Sequence, residues 1–146
     1  MIEAGIVEFA GHIKDQDLRA LIAAADVQVI PSIYEPFGLV ALEAAALFTP
    51  IITTKTGGLS DIARSDYALT FAPETPTELA QAIQQSLTDP AAGLERATRL
   101  GKRLSTDYAW TTIATQTQSA YRQAQSNSAR PAIPELGLIP THNLLQ

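Results

Sequence analysis

The chain has no cysteine in its 146 residues, which excludes a disulfide framework and any thiolate-held metal. Histidine is nearly missing too. His12 and His142 lie in unrelated segments, so a histidine-built zinc site has no basis. No run approaches the roughly 18 to 20 apolar residues of a membrane span, and the start Met1-Ile2-Glu3-Ala4 lacks the basic region of a secretion signal. Basic residues are the minority, ten against fifteen acids for a formal net charge of −5, which argues against a nucleic-acid partner. Four of them, Arg96, Arg99, Lys102 and Arg103, share one predicted helix and read as a solvated face. What remains is ordinary for a globular α/β chain: 46% hydrophobic residues with one Met and one Trp, at a length that can bury a real core. A soluble, cytoplasmic domain is expected.

The informative stretch runs over residues 27–48. Val27-Gln28-Val29-Ile30 is a β-branched run stopped by Pro31, the pattern of a buried strand. Residues 39–48 are apolar except Glu43, which predicts a helix enclosed on nearly all sides. An ionised carboxylate there needs partners, from the protein or from a ligand. Between strand and helix lie a tight loop and Gly38, the arrangement that aims free backbone N–H groups and the positive helix end at an anion. Glu43 is five residues down that helix from Gly38, about 7 to 8 Å along the axis, while Glu35 sits in the loop above. An acid, a phosphate-sized cluster of donors and a second acid then lie in one line. A nucleotide sugar presents hydroxyls, phosphates and hydroxyls in that order.

Glu35-Pro36-Phe37-Gly38 followed by Glu43 resembles the E-x7-E signature of retaining glycosyltransferases with the GT-B fold, a group that includes glycogen-synthase-like and sucrose-phosphate-synthase-like enzymes. Val7-Glu8-Phe9-Ala10-Gly11, Ala24-Ala25-Asp26-Val27, Thr56-Gly57-Gly58-Leu59 and Tyr108-Ala109-Trp110 follow in the family's order. The resemblance implies a Rossmann-like open parallel sheet with helices on both faces, the C-terminal half of the GT-B fold. It assigns Glu43 to the nucleotide ribose and Glu35 to the donor sugar, where its carboxylate orients hydroxyls and stabilises charge developing at the anomeric carbon. Phe37, Gly38, Leu39 and Val40 would meet the diphosphate through backbone N–H groups, and Thr56, Gly57 and Gly58 the phosphate or sugar, with Thr56 and Leu59 as the weaker members; Lys55 is within reach of phosphate but reads as a surface residue. It further implies a nucleotide-sugar donor, glucosyl transfer, no metal or cofactor, and a partner N-terminal acceptor domain, on the same or a separate chain. The family's phosphate-binding Arg and Lys have no counterpart in residues 1–5. Phe48-Thr49-Pro50 also departs from the family's usual Gly before Pro, and Ser65-Asp66-Tyr67 lacks its Gly-containing turn.

Along the chain, the pattern predicts strands over residues 6–10, 27–30, 50–54 and 68–71. Helices are predicted over 15–24 with Asp15 as N-cap, then 38–47, 59–63, 77–87, 91–104 and 110–125. Strands alternating with helices imply parallel pairing through crossovers. Residues 1–125 are expected to form the donor-binding domain and 126–146, with Pro131, Pro134 and Pro140, a flexible tail. Two rival readings are a noncatalytic α/β module used for protein contacts and a phosphoacceptor receiver domain, the latter opposed by the missing acidic cluster near the first strand.

Overall fold

The computed structural model describes residues 7–127. The chain divides into two units, Met1–Ala109 and Trp110–Gln146. In the first, helix α1 (Asp15–Ala24) leads to strand β1 (Gln28–Ile30), α2 (Leu39–Ala46), β2 (Ile51–Thr53), a 3-10 helix (Gly57–Asp61), β3 (Leu69–Thr70), α3 (Pro76–Thr88) and α4 (Pro90–Asp107). The described part of the second unit is one helix, α5 (Trp110–Asn127). The 126–146 tail otherwise lies outside the described residues. None of the described helices is long and apolar enough to cross a membrane.

The sheet is parallel throughout in the order β1-β2-β3, with Val29 opposite Ile52 and Ile52 opposite Leu69. Alternation along the strands divides the core in two. Ile30 and Ile51 join Ala41, Ala44, Ala45 and Leu100 on one face, whereas Val29, Ile52 and Leu69 join Leu79, Ala82 and Ile83 on the other. Helices therefore cover both faces, as βαβ crossovers require. Ile52 is fully buried, a burial that contributes about 1.5 to 3 kcal/mol.

Four expectations are corrected. Residues 7–10 form no strand; Val7 and Phe9 are exposed, Phe9 at 81%, because alternation makes a strand only where a neighbour supplies a ladder, and none of the described strands reaches them. Residue 6, the rest of that prediction, lies outside the described residues. Lys14, not Asp15, occupies the N-cap of α1 and makes no side-chain cap, while Asp15 and Asp17 sit in the first turn, where their charge suits the helix dipole. Helix α2 is not enclosed: Ala41, Ala44 and Ala45 are buried but Leu39, Glu43 and Ala46 are exposed. Composition gave it no polar stripe, yet only one face meets sheet and α4. The helix predicted at 59–63 is the 3-10 turn that starts two residues earlier at Gly57.

The missing Gly before Pro50 has a visible consequence. Phe48 holds the left-handed conformation, φ 57°, and closes α2: its N–H donates to the Ala45 carbonyl at 3.2 Å and the Thr49 N–H to the Ala44 carbonyl at 3.0 Å, the Schellman pattern. A non-glycine residue in that conformation costs on the order of 1 kcal/mol. The Phe48 ring offsets this by lying against α4 at Gly101, where an added Cβ would stand 2.6 Å from the ring and 2.9 Å from the Ala45 carbonyl oxygen. Gly101→Ala is therefore expected to destabilise by about 1 to 3 kcal/mol. Gly93→Ala, one α4 glycine whose Cβ would meet the Pro50 side chain at 3.5 Å and Ser86 Oγ at 4.0 Å, ordinary contact distances, should be neutral or gain up to about 1 kcal/mol from helix propensity. Urea midpoints of the two variants check the contrast.

The turn at residues 64–67 also closes without glycine. The Tyr67 and Ala68 amides donate to the Arg64 carbonyl, and the Arg64 and Arg103 guanidiniums lie over the Tyr67 ring, 5.7 and 5.4 Å from its centroid. Arg103 donates to the Asp61 carbonyl and to Asp107 at 2.9 Å each. Hydrogen bonds from Arg103 and then Thr106 hold the Asp107 carboxyl below the ordinary carboxylate range. Its contribution to stability is thus present above the unfolded-state value and lost as pH falls through the lowered one.

Candidate functional site

The carboxyl ends of β1 and β2 are tied to each other by threonines. The Thr54 hydroxyl donates to the Ser32 carbonyl at 2.6 Å, Thr56 donates to the same carbonyl at 3.1 Å, and the two hydroxyls are 3.1 Å apart. Thr53 donates to the Ile30 carbonyl at 3.3 Å. Thr53 and Thr54 are fully buried, so these bonds form in a low-dielectric layer where leaving them unmade would be costly. Neither Thr54 nor Ser32 was singled out from sequence. The signal available was two consecutive hydroxyls ending a β-branched run.

That tie brings the predicted loops into contact. The Gly58 N–H donates to the Glu35 carbonyl at 2.8 Å. A Cβ at Gly57 would stand 2.1 Å from the Glu35 carbonyl oxygen, and one at Gly58 would stand 2.4 Å from that of Phe37. The two glycines are thus required by the packing of one backbone on another. Gly38, at φ 90°, is the N-cap of α2, and its N–H donates to Glu35 Oε1 at 3.0 Å. One oxygen of Glu35 is therefore fixed by the loop it belongs to, while Oε2 has no hydrogen bond to a described residue. Beyond Gly38, the Leu39 and Val40 amides lead the helix, where no preceding turn can accept from them. Phe37 and Leu39 expose their side chains, at 54% and 63%, so backbone rather than side chain is what this corner offers.

Glu43 lies one turn below those amides. It is exposed and forms no hydrogen bond or ion pair to a described residue. It lines a cavity of about 280 Å³ with Asp15, Leu18, Arg19, Ile22, Ala46 and Leu47. Among the described residues this acid is thus unpartnered, at the wall of a recess. Asp15 and Arg19, spaced i, i+4 on α1 and hence on one side of it, were not anticipated as its neighbours. Lys55 and His12 are exposed. Among the described residues no group of three or more acids or histidines could hold a metal ion.

The family model for glycosyl transferases group 1 matches residues 3–105. The chain belongs to that family. Its curated relatives include the glycogen synthase of Mycobacterium tuberculosis, 42% identical over 132 residues, a match that takes in 90% of this chain and 32% of that protein. Among solved structures, sucrose-phosphate synthase from Thermosynechococcus elongatus matches with a TM-score of 0.72 at 39% identity, over 84% of this chain and 31% of that one. HepE of Anabaena, solved with UDP-glucose, matches at TM-score 0.64 and 26% identity, over 70% of this chain and 29% of that one. The C-terminal domain of LpcC, a group 1 protein of Francisella tularensis, matches at TM-score 0.66 and 26% identity, over 75% of this chain and 58% of that domain. The chain thus spans about a third of the length of the full relatives, and it is a C-terminal GT-B domain of the group 1 glycosyl transferases. In this group 1 domain the residues of the E-x7-E motif flank the start of α2, Glu35 bonded to the amide of the N-cap Gly38 and Glu43 open to the recess below.

Proposed function

We propose that this domain binds a nucleoside-diphosphate sugar and serves a retaining transfer of a glucosyl residue to an acceptor hydroxyl in the cytoplasm. The observation that carries the proposal is the helix start at Leu39 and Val40, whose open amides lie between a held carboxylate above, Glu35, and an unpartnered one below, Glu43. The diphosphate meets those amides and the positive helix end. Glu43 accepts from the ribose hydroxyls, and the free oxygen of Glu35 faces the sugar. There a negative charge stabilises the positive charge that develops at the anomeric carbon as the bond to the diphosphate breaks. Thr56, Gly57 and Gly58 complete the wall by holding the Glu35 loop in place. HepE, solved with UDP-glucose, supports this class of donor, and the glycogen synthase relative supports glucosyl transfer. The resemblance assigns no metal or cofactor to the reaction.

Acceptor binding and the positive charge that neutralises the departing diphosphate belong, in this reading, to an N-terminal domain. Calorimetric titration of the folded chain with UDP-glucose, ADP-glucose and GDP-mannose should give saturable heat with one of the three and no turnover with any acceptor. Absence of heat with all three would remove the donor site, and turnover by the chain alone would remove the need for a second domain.

A further inference from the structure

We infer that Glu35 works against the diphosphate as well as for the sugar: its charge makes the site hold the nucleotide sugar in preference to the nucleoside diphosphate that transfer leaves behind, so the same carboxylate promotes product release. The inference rests on the donor site proposed above and adds a selectivity within it. Its ground is where the carboxylate sits. The first α2 amides with partners inside the helix are those of Ala41 and Leu42, which both donate to the Gly38 carbonyl. Of the amides before them, that of Gly38 is already taken by Glu35 Oε1 at 3.0 Å. An anion of the protein's own thus occupies the start of the helix, and a diphosphate on the Leu39 and Val40 amides lies beside it. Glu35 forms no ion pair with a described residue; Lys55, in the loop packed on it, is exposed and pairs with no described acid. The backbone that carries the carboxylate is held in place. The Ser32 carbonyl accepts from Thr54 and Thr56 at 2.6 and 3.1 Å, the Glu35 carbonyl accepts from the Gly58 N–H at 2.8 Å, and a Cβ at Gly57 would stand 2.1 Å from the Glu35 carbonyl oxygen. Repulsion between Glu35 and a bound phosphate is therefore not relieved by moving the loop, and it enters the affinity.

Donor and product differ in the charge that meets Glu35. When the bond from the anomeric carbon to the diphosphate breaks, its electron pair stays on the diphosphate oxygen, the acceptor oxygen takes the sugar, and the acceptor's proton goes to solvent. The diphosphate then ends in a phosphate whose second ionisation lies at about pH 6. At about pH 8 it carries one negative charge more than it did in the donor. In the donor that oxygen is esterified, and the sugar hydroxyls donate to Glu35 Oε2, the oxygen left over by the bond to the Gly38 amide. In the product the added charge faces the carboxylate with no hydroxyl between them. Like charges a few ångström apart at a half-buried position, where the effective dielectric constant is about 20, change an affinity tenfold or more.

Calorimetric titration of the chain with UDP-glucose and UDP at about pH 8 tests the inference, with the pairs ADP-glucose and ADP, and GDP-mannose and GDP, run alike. The native chain is expected to bind one nucleotide sugar more tightly than the matching diphosphate. Glu35→Gln keeps an acceptor for the Gly38 amide and removes the charge; it should tighten the diphosphate about 10-fold or more while weakening the nucleotide sugar. Glu35→Asp keeps the charge and should leave the diphosphate weak. Glu43→Gln removes a contact that both ligands share through the ribose, so it should weaken the two alike and leave their ratio unchanged. A merely structural role for Glu35 would also move both ligands together. Silence from the native chain with every ligand removes the donor site and this inference with it. Donor binding with the diphosphate no tighter in Glu35→Gln than in the native chain, or as tight in Glu35→Asp as in Glu35→Gln, overturns the inference alone and leaves the donor site standing.

Discussion

Gly58→Ala is expected to lower the stability of the domain by about 3 kcal/mol or more, the upper end for overpacking, and to abolish saturable binding of the nucleotide sugar. The new Cβ would stand 2.4 Å from the Phe37 carbonyl oxygen and 2.5 Å from its carbonyl carbon and Cα. These are backbone atoms, so no rotamer change relieves the contact. The 35–38 loop must move. Moving it breaks the 2.8 Å bond from the Gly58 amide to the Glu35 carbonyl and shifts Glu35 away from the Gly38 amide. Gly57→Ala should behave alike, since its Cβ would stand 2.1 Å from the Glu35 carbonyl oxygen at φ 50°. Urea denaturation with calorimetry on the same samples decides the matter. A variant with an unchanged midpoint and unchanged affinity would show that the two loops are not packed as described.

How far the site was legible in the sequence depends on which physical property marks each residue. Strand β2 and helix α2 were legible because unbroken β-branched or helix-forming apolar runs admit few alternatives. The start of α2 at Gly38 was legible from glycine after a tight loop. The sidedness of α2 was not. Eight residues of mostly Ala and Leu carry no polar stripe, so nothing local says that Ala41, Ala44 and Ala45 face inward while Leu39 and Glu43 face out. Glu43 was therefore expected to be buried and is exposed; its distinction lies instead in standing at the wall of a recess with no partner among the described residues. Strand prediction failed at residues 7–10 for the converse reason: alternation is local, but a ladder is not. Gly57 and Gly58 were recognised as a loop, yet the contact that requires them comes from residues some twenty positions earlier, and no local pattern contains it. The same holds for Thr54 and its bond to the Ser32 carbonyl.

Glu43→Gln is expected to weaken nucleotide-sugar binding about 10- to 100-fold, with stability changed by less than about 0.5 kcal/mol. The affinity figure follows from the roughly 1.5 to 3 kcal/mol that a hydrogen bond to a charged acceptor contributes. The stability figure follows from exposure and the lack of any ion pair or hydrogen bond to a described residue, since such surface changes are nearly neutral. Gln keeps the shape and one acceptor oxygen but removes the charge, so the change reads the carboxylate itself. Repeating the titration with the 2′-deoxyribose form of the nucleotide sugar that binds separates the ribose assignment from a general effect of charge. If Glu43 accepts from the 2′-hydroxyl, that form binds the native chain more weakly, and the additional penalty of Glu43→Gln shrinks, a coupling that two independent effects would not show. Equal penalties with both forms would place Glu43 near the nucleotide without assigning it to that hydroxyl. A variant that lowers the urea midpoint while binding as tightly as the native chain would make Glu43 a structural acid and leave the lower end of the donor line without a residue.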